Sequence, residues 1–140
     1  MTPFRAALLG ALLTPLATFA ETSLDGQLSI ELNATQAVEN SCKLSFLVVN
    51  GHDAAVDKAV YEAVLFDTEG QVNRLMLFDF GKLPAKRPRV RQFVVPQLAC
   101  DGLGQVLVNG VTQCTGESLP EGACLDKLKL GTRTDVEVLG

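Results

Sequence analysis

The chain has 140 residues, with 12 basic and 16 acidic side chains, one histidine and a formal net charge of −4 at pH 7. This length suits one ordinary domain with a real hydrophobic core. The excess of acidic residues makes nucleic acid a poor candidate partner, because phosphate backbones are bound by basic surfaces.

The N-terminal segment predicts a signal peptide for export. Residues 1–20, "MTPFRAALLGALLTPLATFA", carry a single basic residue, Arg5, followed by an apolar run that ends in small residues. A retained membrane anchor is the alternative, but the run is short for a bilayer span and Pro15 interrupts it. We therefore predict a mature chain, residues 21–140, that is periplasmic or secreted, forms a single domain and has no transmembrane segment.

The mature sequence alternates between apolar and polar residues with the period of two that is typical of half-buried β-strands. In "LSIELNA", for example, Leu28, Ile30 and Leu32 share one face. Glycine, proline and asparagine separate the apolar runs, as expected for turns between strands. The pattern predicts seven strands, at residues 28–34, 42–50, 59–67, 72–80, 89–98, 104–112 and 134–139.

Short strands in this number predict an all-β fold, an immunoglobulin-like antiparallel β-sandwich. In the fifth strand the apolar phase changes between Val90 and Phe93. We therefore expect either a β-bulge at this point or a strand that is buried on both faces.

Four cysteines in an exported chain predict structural disulfides. Their spacing lacks the close pairs that are typical of zinc sites and redox motifs. In an immunoglobulin-like sandwich the second strand starts beside the end of the fifth strand, which brings Cys42 close to Cys100. Cys114 and Cys124 then pair locally at the other end of the domain. The predicted bridges are Cys42–Cys100 and Cys114–Cys124.

The sequence contains no recognisable catalytic pattern. His52, the only histidine, is predicted to lie exposed in a loop, where Asp53 and Asp57 could add an acidic rim or a weak cation site. Their spacing is not that of a calcium loop, and no serine lies in a nucleophile elbow. We predict that the protein is not an enzyme and holds no cofactor and no metal.

One local feature departs from the acidic character of the chain. The segment "KLPAKRPRVRQF" contains five basic residues, Lys82, Lys86, Arg87, Arg89 and Arg91, which we call the basic segment. One interpretation is a contact site for an anionic partner. The other is a solvated connection whose charges and prolines protect an edge strand from pairing with another sheet.

The run "LSIELNATQAVENSCKLSFLVVNG", with "VLFDTEGQV" and "FDFGKLP", resembles small exported bacterial immunoglobulin-like β-sandwich proteins of unassigned function. The likeness covers most of the mature chain and rests on structural positions of a sandwich. A looser similarity is to fimbrial and spore-coat-type pilins, although the ending "VEVLG" lacks their aromatic C-terminal signature. In size and disulfides the chain is also similar to small periplasmic inhibitors of lysozyme-type enzymes.

The predicted function is that of a non-catalytic binding or accessory module of the cell envelope, whose partner is another envelope protein or an anionic surface component. One alternative is a pilin-like subunit that assembles by exchanging a β-strand, with residues 27–34 as the natural donor. The other alternative is a small periplasmic enzyme inhibitor.

Overall fold

The fold is seen in a computed structural model, which describes Met1, Pro3, Pro15 and residues 24–140. The predicted signal peptide, residues 1–20, therefore lies almost wholly outside the described residues. Within the described part of the chain, no helix has the length and apolar character needed to cross a membrane. The regular elements are β1 (Leu28–Val38), β2 (Ser41–Asn50), β3 (Val56–Asp67), β4 (Val72–Leu83), β5 (Pro88–Val95), a 3-10 turn (Cys100–Gly102), β6 (Leu103–Thr115), β7 (Lys129–Thr132) and β8 (Glu137–Leu139).

The strands form two four-stranded sheets that pack as a sandwich. One sheet has the order β5-β2-β1-β7 and the other has the order β4-β3-β6-β8. Neighbouring strands are antiparallel, except that β7 runs parallel to β1 and β8 runs parallel to β6. The predicted β-sandwich is confirmed. It has one strand more than expected, β7, and the two parallel pairings correct the expectation of a wholly antiparallel fold.

Strand β2 shows how alternation builds the core. Every second residue of "SCKLSFLVVN" is buried, and the Phe46 side chain is only 2% exposed. Its ring lies 5.5–6.0 Å, between centroids, from the rings of Phe78, Phe80 and Phe93. Two of these rings come from β4 in the opposite sheet, so aromatic contacts in favourable tilted geometries join the sheets.

Both predicted disulfides are confirmed. Cys42, at the start of β2, lies opposite Val95, the last residue of β5, and bridges to Cys100 over a Cα–Cα distance of 4.9 Å. Because Cys100 begins the turn that leads into β6, this bridge joins the two sheets. Cys114, near the end of β6, pairs with Cys124 in the following loop at a Cα–Cα distance of 6.0 Å.

Strand β5 corrects the expectation for the fifth strand. It pairs with β2 from Pro88 to Val95 without a register shift, so there is no bulge. Its outer residues Val90 and Val94 are 58% and 50% exposed, so it is not buried on both faces either. The apolar phase changes because Arg91 occupies an inward-facing position, between the two sheets at their shared edge.

Candidate interaction surfaces

The basic segment runs from the end of β4 through the connecting loop into β5. These are the edge strands of the two sheets, and they approach each other along one side of the sandwich. The structure places the five predicted residues near one another in the chain but in different environments. Two of the cations, Lys86 and Arg91, bind oxygen atoms of other segments of the protein.

Lys86 is one of these two. Its Nζ lies 2.8 Å from Asp25 Oδ1, 2.6 Å from the carbonyl oxygen of Gly51 and 3.8 Å from Asp53 Oδ1. The hydrogen bond to Asp25 is the main reason why the pKa of Lys86 is raised above its usual value, and the charges of both carboxylates add to it. The backbone N–H of Lys86 also donates to the Asn50 carbonyl at 2.8 Å. Lys86 therefore fastens the loop between β4 and β5 to the loop that follows β2.

Arg91 is the second. Its Nε donates to the Phe80 carbonyl at 2.7 Å and its Nη2 donates to the Lys82 carbonyl at 2.9 Å, both on β4. An edge strand presents backbone groups that no neighbouring strand pairs, and bonds from a guanidinium to such oxygens are short and strong. Arg91 thus caps the β4 edge and links it to β5, which accounts for a charged residue at an inward-facing position.

The other three residues of the basic segment are more available to a binding partner. Arg89 donates from Nη1 to the carbonyl of its neighbour Pro88 at 2.9 Å. Lys82 and Arg87 are exposed, and within residues 24–140 their side chains make no hydrogen bond or ion pair. An anionic partner that approached this edge would therefore meet Lys82, Arg87 and Arg89.

His52 corrects a further expectation, because it is not exposed. Its side chain is 7% exposed, and its Nε2 donates to the Ala123 carbonyl at 2.8 Å. Beside it, the Tyr61 hydroxyl donates to the Cys124 carbonyl at 2.6 Å, and burial raises the pKa of this phenol well above its usual value. Both side chains hold the loop that carries Cys124 against the core, so their role is structural.

The local sequence explains this burial. Asn50 Oδ1 accepts a hydrogen bond from the His52 backbone at 2.9 Å, while Asn50 Nδ2 donates to the carbonyls of Ala54 and Leu83. A Cβ atom on Gly51 would lie 1.6 Å from the Leu24 carbonyl oxygen, so only glycine fits between these segments. Among the residues that the structure describes, no group of three or more histidine, cysteine or carboxylate side chains is positioned to hold a metal ion.

A second surface was not anticipated from the sequence. On the outer face of the β4-β3-β6-β8 sheet, the register aligns Leu75, Val64, Leu107 and Leu139 in one row across all four strands. Apolar residues of the adjacent rows extend this row on both sides. We call the whole set the apolar face: Val64, Phe66, Val72, Leu75, Leu77, Leu107 and Leu139.

The apolar face is open to solvent. Val72, Leu75, Leu77 and Leu139 are 57%, 59%, 59% and 41% exposed, respectively. Val64, near the middle of the row, is 8% exposed but does not belong to the core cluster between the sheets. Large contiguous apolar patches are uncommon on monomeric soluble domains, and they often mark sites of interaction with another molecule.

The sequence signal for this face was present but ambiguous. In "VNRLMLFDF" apolar residues occupy both strand faces, a pattern that is also typical of strands buried on both sides. The structure directs Met76 and Phe78 to the core and Leu75 and Leu77 outward. Because β4 is an edge strand and no described element covers its outer face, the outward residues remain exposed.

No protein-family model matches the chain, and no curated protein matches its sequence. Among solved structures, the chain is similar to IrmA from Escherichia coli. The TM-score is 0.56 and the sequence identity is 17%, over 74% of this chain and 90% of IrmA. At this identity the similarity shows a shared fold and nothing about a shared partner.

Proposed function

We propose that the protein is an exported, non-catalytic binding or accessory module of the cell envelope, and that it contacts another protein through the apolar face. The observation that carries this proposal is the row from Leu75 to Leu139, because it places exposed apolar side chains on four adjacent strands. A rigid sheet positions such side chains at fixed spacings, which favours the recognition of a complementary surface.

Export is supported by the two disulfides, because such bridges persist mainly in oxidising compartments. Together with the predicted signal peptide, they favour a periplasmic or secreted location. The strand orders, with β2 between β1 and β5 and β3 between β4 and β6, also support an immunoglobulin-like classification. The parallel pairing of β8 with β6 is a departure from the standard topology.

The test is co-purification from an envelope extract with the tagged mature protein. We expect Leu75→Thr/Leu77→Thr to lose the partner that the wild type recovers. The matched control is Val90→Thr/Val94→Thr, which makes equally exposed apolar residues of the other sheet polar and should retain the partner. Circular dichroism would verify that both variants fold. Equal recovery by all three proteins would refute the apolar face as the contact site.

A second candidate function is contact with an anionic envelope component through the available part of the basic segment. Lys82 and Arg87 favour it, because both are exposed and unpaired in the described part of the chain. Lys82→Ser/Arg87→Ser/Arg89→Ser should then weaken binding to anionic lipid vesicles, and binding by the wild type should fall as salt rises. Lys43→Ser/Lys127→Ser/Lys129→Ser removes the same charge elsewhere and should bind as the wild type does. Equal binding by both variants would leave edge protection as the role of the segment.

Strand exchange and enzyme inhibition are less well supported. Most of the proposed donor, residues 27–34, lies in β1, which is paired with β2 on one edge and with β7 on the other. Its residues Leu28, Ile30 and Leu32 are at most 1% exposed. Donation of this strand would break two ladders and open the core. We therefore expect a monomer of the mature protein in size-exclusion chromatography with light scattering, whereas dimers or polymers would support exchange.

A further inference from the structure

The apolar face ends in a group of acidic side chains. A shallow pocket of about 490 Å³ at one end of the outer sheet surface is lined by Asp67 at the end of β3, Glu69 of the following turn, Asp135 just before β8 and Glu137 at the start of β8. We call these four residues the acidic end. Glu137 lies opposite Gln105, which in turn lies opposite Phe66, so the acidic end continues a row of the apolar face.

Within residues 24–140, the four carboxylates have no cationic partner. Asp67 Oδ1 accepts hydrogen bonds from the backbones of Glu69 and Gln71, both at 2.9 Å, and Glu137 Oε2 accepts one from Gln105 Nε2 at 2.7 Å. These are neutral donors. In the described part of the chain, no lysine or arginine lies within ion-pair distance of any of the four.

This distribution of charge limits what can cover the apolar face. Burial of uncompensated carboxylates at the border of an interface is costly, whereas cations brought by a partner would favour docking and fix its direction. A second copy of this chain supplies too few of them. On the same sheet, Lys58 is already paired with its own Asp79 at 3.5 Å, so in the described part of this sheet only Lys82 of β4 is exposed and unpaired, against four carboxylates.

We propose that the apolar face and the acidic end together dock a partner protein that presents an apolar surface flanked by lysine or arginine side chains. The proposal rests on the function proposed above and adds the chemistry and the direction of the partner. The apolar rows supply the contact area, and the acidic end sets which way the partner lies across the strands.

The experiment is site-specific crosslinking in the envelope of the source organism. Leu77 is replaced by the photo-crosslinking residue p-benzoylphenylalanine in the full chain, and Val90 is replaced in the same way as a control on the other sheet. We expect an adduct with a different protein from position 77 and none from position 90. The linked segment of that protein should be apolar, with lysine or arginine flanking it.

A second arm tests the charges. With the crosslinker at position 77, Glu69→Gln/Asp135→Asn/Glu137→Gln should lower the adduct yield roughly tenfold. The control Glu39→Gln/Glu117→Gln/Glu121→Gln removes three exposed carboxylates elsewhere and should leave the yield unchanged. Asp67 is retained because it holds the turn between β3 and β4.

Each contrary result has a separate meaning. An adduct of twice the chain's mass would overturn the proposal in favour of a second copy. An adduct that is insensitive to the acidic residues would overturn the basic partner, while the apolar face would stand as the contact site. No adduct at position 77 above that at position 90 would overturn this proposal and the proposed function together.

Discussion

The basic segment and the apolar face relate to the sequence in opposite ways. The basic segment is conspicuous in the sequence, yet Lys86 and Arg91 bind oxygen atoms of the protein itself. The apolar face is inconspicuous in the sequence, because Leu75 and Leu139 are 64 residues apart and become part of one row only through strand register. A cluster in sequence can thus be structural, while a candidate contact surface arises from distant residues.

The largest expected effect is on the stability of the β-sandwich that carries both surfaces. The Cys42–Cys100 bridge joins the sheet of β5 to the sheet of the apolar face and spans 58 residues of sequence. Cys42→Ala/Cys100→Ala should lower the free energy of unfolding by about 4 kcal/mol, because the unfolded chain regains conformational freedom. Cys114→Ala/Cys124→Ala, with a separation of 10, should lower it by about 2.7 kcal/mol. Urea denaturation measures both losses. A larger loss from removing Cys114–Cys124 than from removing Cys42–Cys100 would contradict this prediction.

The next effect separates the structural cations from the available ones. Arg91→Ala removes two bonds from a guanidinium to β4 carbonyls and should lower the free energy of unfolding by about 2 kcal/mol. Arg87→Ala should change it by less than about 0.5 kcal/mol, because that side chain is exposed. Thermal and chemical denaturation test this difference. Equal losses from the two variants would contradict the division of the basic segment into structural and available cations.

A third prediction concerns the inner side of β3, the strand that contributes Val64 and Phe66 to the apolar face. Burial raises the pKa of Tyr61 in the folded state, so above about pH 10 the unfolded state loses its phenolic proton first. The contribution of Tyr61 to the free energy of unfolding should therefore be fully present below pH 10. Above that pH it should fall by about 1.4 kcal/mol per pH unit. Tyr61→Phe should remove that part of the decline. Because Tyr61 is the only tyrosine, its ionisation can be followed directly by ultraviolet absorbance.

The smallest expected effect is on the stability of the apolar face itself. Leu75→Thr and Leu77→Thr should each change the free energy of unfolding by no more than about 0.5 kcal/mol, because neither side chain belongs to the core cluster. A loss of several kcal/mol in denaturation experiments would mean that these residues support the fold. The apolar face would then be a structural surface, as the parts of the basic segment around Lys86 and Arg91 are.

The sequence predicts much of the fold because strand alternation and cysteine placement are strong signals. Cys42 and Cys100 could be paired in advance because the pairing of the second and fifth strands follows from a sandwich topology. Strand β7 was not predicted, since four residues with little alternation carry too weak a pattern. Its pairing with β1 depends on contacts between residues about 100 positions apart.

The candidate surfaces were less predictable. An arginine in a strand does not reveal whether it faces solvent or caps carbonyl groups, as Arg91 does. Likewise, a histidine after Asn50-Gly51 does not reveal that its ring reaches Ala123. Both outcomes depend on which strands lie at the sheet edges and on where distant loops pass, and these are properties of the assembled fold.

The contacts of His52 and Tyr61 with the loop around Cys124 have a consequence for redox chemistry. If the Cys114–Cys124 bridge is reduced, the hydrogen bonds to the carbonyls of Ala123 and Cys124 still hold that loop against the core. The two thiols then remain at a high effective concentration relative to each other. We expect the bridge to re-form within the molecule faster than either thiol reacts with another chain, so that exposure to a reductant leaves the pairing of the cysteines intact.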